Sequence, residues 1–135
     1  LGVVLGVGAI SSNRIIGWFT AASSSGIPEN GDEARRTAAR AFASGDLDRA
    51  IEMGRSALSA NPLDTGALSL VARALIYRSY GEIDRAIDRD TALEIVSQAA
   101  RLDPGSRDIG AIRAFALAAA GDPIQAAEIA ERILD

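Results

Sequence analysis

From Gly31 onward, small and apolar residues recur three and four positions apart, the period of a helix with one buried face. Asp64 stands just before such a run, made of Leu68, Val71, Ala72 and Leu75. An acidic side chain there can accept a hydrogen bond from a free amide of the first turn. Asn30 with Glu33, and Thr91 with Glu94, have the spacing of reciprocal caps at helix starts. Pro62 and Pro104 each close a run, since proline has no N–H to continue the ladder. These signals predict six helices after residue 30. They also predict an enlarged loop at 80–90, holding one helical turn over Ile83 to Ile87. The following helix is expected to start at Thr91, because no apolar residue lies between Asp88 and Thr91.

Residues 1–22 follow another pattern. They are almost wholly apolar or small, carry one charge, Arg14, and hold the only Trp. A small-and-polar stretch at 23–30 reads as a linker. As a helix, ten residues reach about 15 Å, half of a hydrocarbon core of about 30 Å, whereas twenty-two would just cross it. Crossing would place Arg14 inside, at a cost of about 2.5–3.5 kcal/mol. The chain begins with Leu1, and a helix starting before it would let Arg14 reach the head groups with Trp18 and Phe19 at the interface. Val3, Val4, Leu5, Val7, Ile10, Trp18 and Phe19 are therefore the candidate anchor or assembly residues. Gly6-Val7-Gly8 lacks the strand and helix of a nucleotide-binding turn, and a single Gly2-x-x-x-Gly6 is weak evidence of paired membrane helices.

Internal repetition organises the remainder. Gly45-Asp46-Leu47-Asp48-Arg49-Ala50-Ile51 nearly recurs as Gly81-Glu82-Ile83-Asp84-Arg85-Ala86-Ile87, and more loosely as Gly121-Asp122-Pro123-Ile124-Gln125-Ala126-Ala127. Ala57 to Pro62 likewise matches Ala99 to Pro104. A unit of helix, Gly-containing turn, helix and Pro, repeated, is the signature of a stacked helical array. Residues 31–135 resemble the tetratricopeptide repeat family, whose unit is a 34-residue antiparallel helix pair. The resemblance places Ala38, Gly45, Ala50, Ala57 and Pro62 at its small, turn and terminal positions in a first unit, 31–64. Ala72, Ala92 and Ala99 fall in place in a second, 65–106, when its second helix is counted back from Pro104. Ala114, Gly121, Ala126 and Ile133 follow in a third, 107–135, with Ile133 where a small residue is expected. The large aromatic expected at the fourth position is replaced by Ala34, Leu68 and Gly110, and the second unit is six residues too long, so the array is divergent. The implied fold is all-α, a right-handed α-solenoid of antiparallel helix pairs, preceded by the apolar N-terminal segment, itself expected to be helical.

Composition narrows the chemistry. The 135 residues hold no Cys, no His and no Lys. That removes the imidazole base, zinc ligation through nitrogen or sulfur, disulfides, thiol nucleophiles and Schiff-base or phosphate-loop lysines. All 14 basic residues are Arg beside 27 Ala, as a high-GC genome would produce. A net charge of −4 argues against nucleic acid as a partner. Aromatics make up 4% of the chain, so the core must be built from Ala and medium aliphatics. Asp84, Asp88, Asp90 and Glu94 form an acidic cluster able in principle to bind a hard cation. Arg85 and Arg89 interleave with it, which makes a solvated, self-compensated loop the expectation and a loss below about 0.5 kcal/mol the expected effect of Asp84→Ala or Asp88→Ala. No metal, no cofactor and no catalytic residue is expected.

The resemblance implies protein–protein binding on the inner face formed by the first helix of each pair. Its groove positions correspond to Asp32, Arg35, Ala39, Phe42 and Ala43, then Gly66, Ser69, Arg73, Ile76 and Tyr77, then Asp108, Ala111, Phe115, Ala118 and Ala119. Arg35 and Arg73 are candidate carboxylate clamps, and Phe42, Tyr77 and Phe115 candidate apolar anchors, unless the rings only fill gaps between helices and the arginines are solvated. The family's form that grips a peptide's terminal carboxylate needs Lys and Asn where this chain has Ala39 and Ser69. Two functions stay open. One is a non-enzymatic scaffold for other protein subunits, tethered by residues 1–22 in a membrane-associated assembly outside the cytoplasm of a bacterium. The other is a subunit that polymerises into an extracellular filament or particle, its N-terminus packing into a neighbouring copy and its last unit offering an unfinished apolar face at Ile129, Ile133 and Leu134.

Overall fold

The computed structural model describes residues 31–81 and 85–134, with no side-chain description for Leu134. Six helices follow one another: α1 Gly31–Ala43, α2 Leu47–Ala60, α3 Thr65–Ser79, α4 Ala86–Leu102, α5 Arg107–Ala119 and α6 Pro123–Leu134. No strand occurs among the described residues. The candidate anchor residues Val3, Val4, Leu5, Val7, Ile10, Trp18 and Phe19 lie outside them, as do the linker and Asp84. Among the described residues no helix is long and apolar enough to cross a membrane.

Local signals account for most of the boundaries. Asp64 accepts from the Ala67 amide at 3.1 Å, as its position before the apolar run predicts. Asp46 and Asp122 do the same for Arg49 and Gln125, at 3.2 and 3.1 Å, and Ser106 does so for Ile109 at 3.2 Å. Pro62 and Pro104 lie just beyond α2 and α4, while Pro123 opens α6, where its missing N–H breaks no bond of the ladder. The three-residue turns before α2 and α6 need a left-handed residue, supplied by Gly45 at φ 84° and Gly121 at φ 96°.

Connections this short fold each helix back on its predecessor, and every helix packs on its neighbours in the chain. Beyond that, α1 touches α3 and α3 touches α5, whereas α2, α4 and α6 do not touch one another. The odd-numbered helices thus form a closed layer and the even-numbered ones stand apart behind it. Ala34, Ala50, Ala57, Leu58, Leu68, Val71, Ala72, Leu75, Ala92, Ile95, Val96 and Ala99 form the middle of a core running from α1 to Ala116 of α5. Small residues let the helices close up. A Cβ on Gly54 would overlap Val71 of α3, and one on Gly110 would stand 2.8 Å from Ile133 Cδ1. Ile133 therefore fills space that Gly110 leaves open. Ile129 is buried with Leu117 and Ala126. These two isoleucines do not form the unfinished apolar face expected of the last unit, because α5 already covers them.

The second unit departs from expectation in its register. Helix α4 begins at Ala86, not Thr91, so the loop before it is short and Thr91 lies inside the helix. The seven-residue echo is not a structural one: Ala50 and Ile51 are buried, but Ala86 is exposed and Ile87 is 68% exposed. Counting back from Pro104 finds the true equivalents, since Ala92 and Ala99 are fully buried like Ala50 and Ala57. The buried stripe of α4 reads Asp88, Ala92, Ile95, Val96 and Ala99. A carboxylate occupies its first position, which is why an apolar pattern misses that turn.

Asp88 can be buried because Arg78, in the last turn of α3, meets it with two hydrogen bonds, Nε to Oδ2 at 2.8 Å and Nη2 to Oδ1 at 2.9 Å. The third arm, Nη1, reaches Asp48 of α2 at 3.0 Å. One guanidinium thereby ties α2, α3 and α4 together, and its planar fork suits that task as an ammonium would not. The hydrogen bond to Asp88, above all, holds the Arg78 pKa higher than usual, against the opposing effect of burial. The charged form that folding prefers is fully populated throughout the ordinary arginine range and fades only as pH rises beyond it, through the raised value. Arg55 shows the opposite shift, lowered first by burial and then by repulsion from Arg78.

The solvated-loop expectation for Asp88 is thus corrected: it is 6% exposed and paired. Asp88→Ala should cost about 1–3 kcal/mol in urea denaturation, because it leaves a partly buried guanidinium short of two acceptors. Gly54→Ala offers a second check on the packing. Helix propensity alone favours Ala by about 1 kcal/mol, but crowding against Val71 should cost about 1–3 kcal/mol, so a fall in the urea midpoint is expected.

Candidate partner-binding groove

The layer of odd-numbered helices leaves a cleft of about 570 Å³ between α3 and α5. Its α3 wall is Thr65, Gly66, Ser69, Arg73 and Tyr77, successive turns of one face. Its α5 wall includes Asp108, Ala111, Ile112 and Phe115, and Asp103 and Ser106 of the α4–α5 turn close one end. Seven of the positions assigned from the sequence line it: Gly66, Ser69, Arg73, Tyr77, Asp108, Ala111 and Phe115. Ile76 does not, being fully buried in the core. Sequence reasoning misses Thr65, Asp103, Ser106, Ile109 and Ile112. The turn residues Asp103 and Ser106 lie outside any A-helix frame, and the Pro104-Gly105 turn beside them is the one signal that points to them.

At the other end three rings make a row across α1, α3 and α5. Phe42 and Tyr77 have centroids 5.7 Å apart at 54°, and Tyr77 and Phe115 5.8 Å apart at 58°. Both pairs have the tilted geometry in which a ring edge meets a neighbouring face. The rings are not core: Tyr77 is 52% and Phe115 38% exposed, and Phe42 is half-buried. Arg73 lies over Phe42, its guanidinium carbon 4.8 Å from the centroid. It is exposed and makes no ion pair with the described residues.

Arg35, the other candidate clamp, is occupied. Its Nη1 donates to Asp64 at 3.0 Å and its Nη2 to Asp32 at 3.4 Å. The Asp64 carboxylate, which also caps α3, is thereby held between two helices. Arg35 fastens α1 to the start of α3, and Arg73 alone of the two presents an uncommitted charge beside the rings. The cleft then has a charge order along α3 and α5: Asp103 and Asp108 at the helix starts, Arg73 midway, and Tyr77 with Phe115 beyond. From Gly66 to Tyr77 a helix rises about 16 Å, the reach of about five residues of extended chain.

Among the described residues no group of three acidic side chains is placed to hold a metal ion. No protein-family model matches the chain, and no curated protein matches it.

The aromatic row carries a direct expectation. Double-mutant cycles on unfolding should give coupling of about 0.5–1.5 kcal/mol for Phe42 with Tyr77 and for Tyr77 with Phe115. Phe42 with Phe115, which share no ring contact, should couple near zero while Tyr77 is present.

Proposed function

We propose that the chain is a non-catalytic, tetratricopeptide-like interaction module, a right-handed solenoid whose A helices bind a short segment of another protein. The observation that carries this is the row Phe42, Tyr77 and Phe115 with the unpaired Arg73 at its side. Exposed rings in contact across three helices offer rigid apolar area at little entropic cost, and an Arg next to them is a usual anchor for an acidic group. The charge order of the cleft favours an extended segment that is acidic opposite Arg73 and apolar or aromatic opposite Tyr77 and Phe115. A basic residue would fit the end lined by Asp103 and Asp108. Repetition of the helix pair, small residues at the interfaces and contact between alternate helices all support the repeat-family assignment. In the same proposal residues 1–22 tether the module, so that it gathers other subunits at a membrane outside the cytoplasm.

Peptide display on the full chain tests the groove. Selection should enrich segments carrying Asp or Glu within two or three residues of an aromatic or large aliphatic residue. Arg73→Glu should reverse the charge preference and leave the apolar one, and Tyr77→Ala should cost at least about 1 kcal/mol of peptide affinity. Selected peptides with no charge preference, or with one that Arg73→Glu leaves unchanged, would refute the groove.

A further inference from the structure

We propose a second binding site, for a phosphate group, in the pocket of about 300 Å³ between the α4–α5 turn and the facing sides of α5 and α6. Three arginines line it, Arg107, Arg113 and Arg132, against one carboxylate, Asp103. The described lining therefore carries a surplus of two positive charges, in a chain whose net charge is −4. Two other arginines are committed to carboxylates, Arg35 to Asp32 and Asp64 and Arg78 to Asp48 and Asp88. None of the three pocket arginines makes an ion pair with a described residue.

The Nε of Arg113 is shut off from solvent and has no hydrogen-bond partner among the described residues. A guanidinium stays charged at any relevant pH, so a buried N–H without an acceptor cannot be relieved by losing its proton. An atom closed to a water-sized probe is equally closed to a ligand oxygen, so it is the pocket-lining part of Arg113, with Arg107 and Arg132, that can meet an anion. Ser106 lines the same pocket, and its Oγ already accepts from the Ile109 amide, so its O–H remains to donate. Donors with no committed acceptor, a surplus of two positive charges and a volume at the small end of ligand pockets suit a dianionic oxyanion on a small group. The pocket adjoins the α3–α5 cleft through Asp103 and Ser106, but its arginines belong to neither wall of that cleft. The site stands whether or not the groove binds peptides.

The phosphate can be free, on a small monoester, or borne on a lipid head group, and the test separates these sources. The full chain is titrated with inorganic phosphate and with phenyl phosphate at constant ionic strength, and is sedimented with phosphatidic-acid or phosphatidylcholine vesicles. The expected result is saturable binding to a phosphate-bearing probe, weakened about tenfold or more by Arg113→Gln with Arg132→Gln, the loss expected for charged hydrogen bonds. Arg73→Gln should leave it unchanged. Should Arg113→Gln impair folding by circular dichroism, Arg132→Gln alone, at an exposed position, carries the test. Binding of the soluble probes identifies a free source, and binding of phosphatidic-acid vesicles alone a lipid one. Binding to no probe, or binding that survives the substitutions, overturns the site.

Discussion

The close approach of helices through glycine and alanine is the constraint on which the other features rest. Gly54 meets Val71 with no room for a methyl group between them, and Ala38, Ala50, Ala57, Ala72, Ala92 and Ala99 are buried at or near zero exposure. Packing at this separation brings many backbone atoms into dispersion contact, offsetting the small apolar area each alanine contributes. It also leaves no space for a ring between helices. The four aromatic residues of the described chain, Phe42, Tyr77, Tyr80 and Phe115, are accordingly half-buried or exposed. Three of them meet on the layer of odd-numbered helices. The groove's apolar end is thus a by-product of a core too tight to hold it.

Charge is distributed under a similar constraint. The chain has no lysine, so every cation is a planar guanidinium able to make directed, paired hydrogen bonds. Arg78 uses three of its donors to fix the starts of α2 and α4 against the end of α3. Arg35 does a lighter version between α1 and α3. Arg73 beside the rings and the three arginines of the α4–α5 pocket make no ion pair with a described residue. The tertiary structure thus separates arginines committed to carboxylates within the fold from arginines that are not.

Much of this is legible in the amino-acid sequence, and the legible part has a common character. Helix ends at Asp64, Pro62 and Pro104, the turns at Gly45 and Gly121, and the buried alanines are set by interactions within a turn or two of the chain, which a linear pattern records. The candidate groove is legible to the same extent: a helical period fixes which side chains share a face, so Arg73, Tyr77 and Phe115 group together. Ile76 falls in the same sequence grouping yet lies in the core, because one position along a helix turns a side chain by about 100°.

Tertiary structure alone decided the rest. The echo of Gly45 to Ile51 at Gly81 to Ile87 is real as sequence, yet α4 takes its register from a carboxylate, Asp88. Its burial depends on Arg78, on the preceding helix, and through Arg78 on Asp48, at the far end of the hydrogen-bonded triad. No local rule assigns a charge to the buried stripe of a helix, since an unpaired one there would be prohibitively costly and only the fold supplies the partner. The same holds for Arg35, whose commitment to Asp64 separates it from Arg73, its equal by sequence. Periodicity determined the helices and their faces. Pairing across helices determined which of the described charged groups were committed inside the fold and which were not.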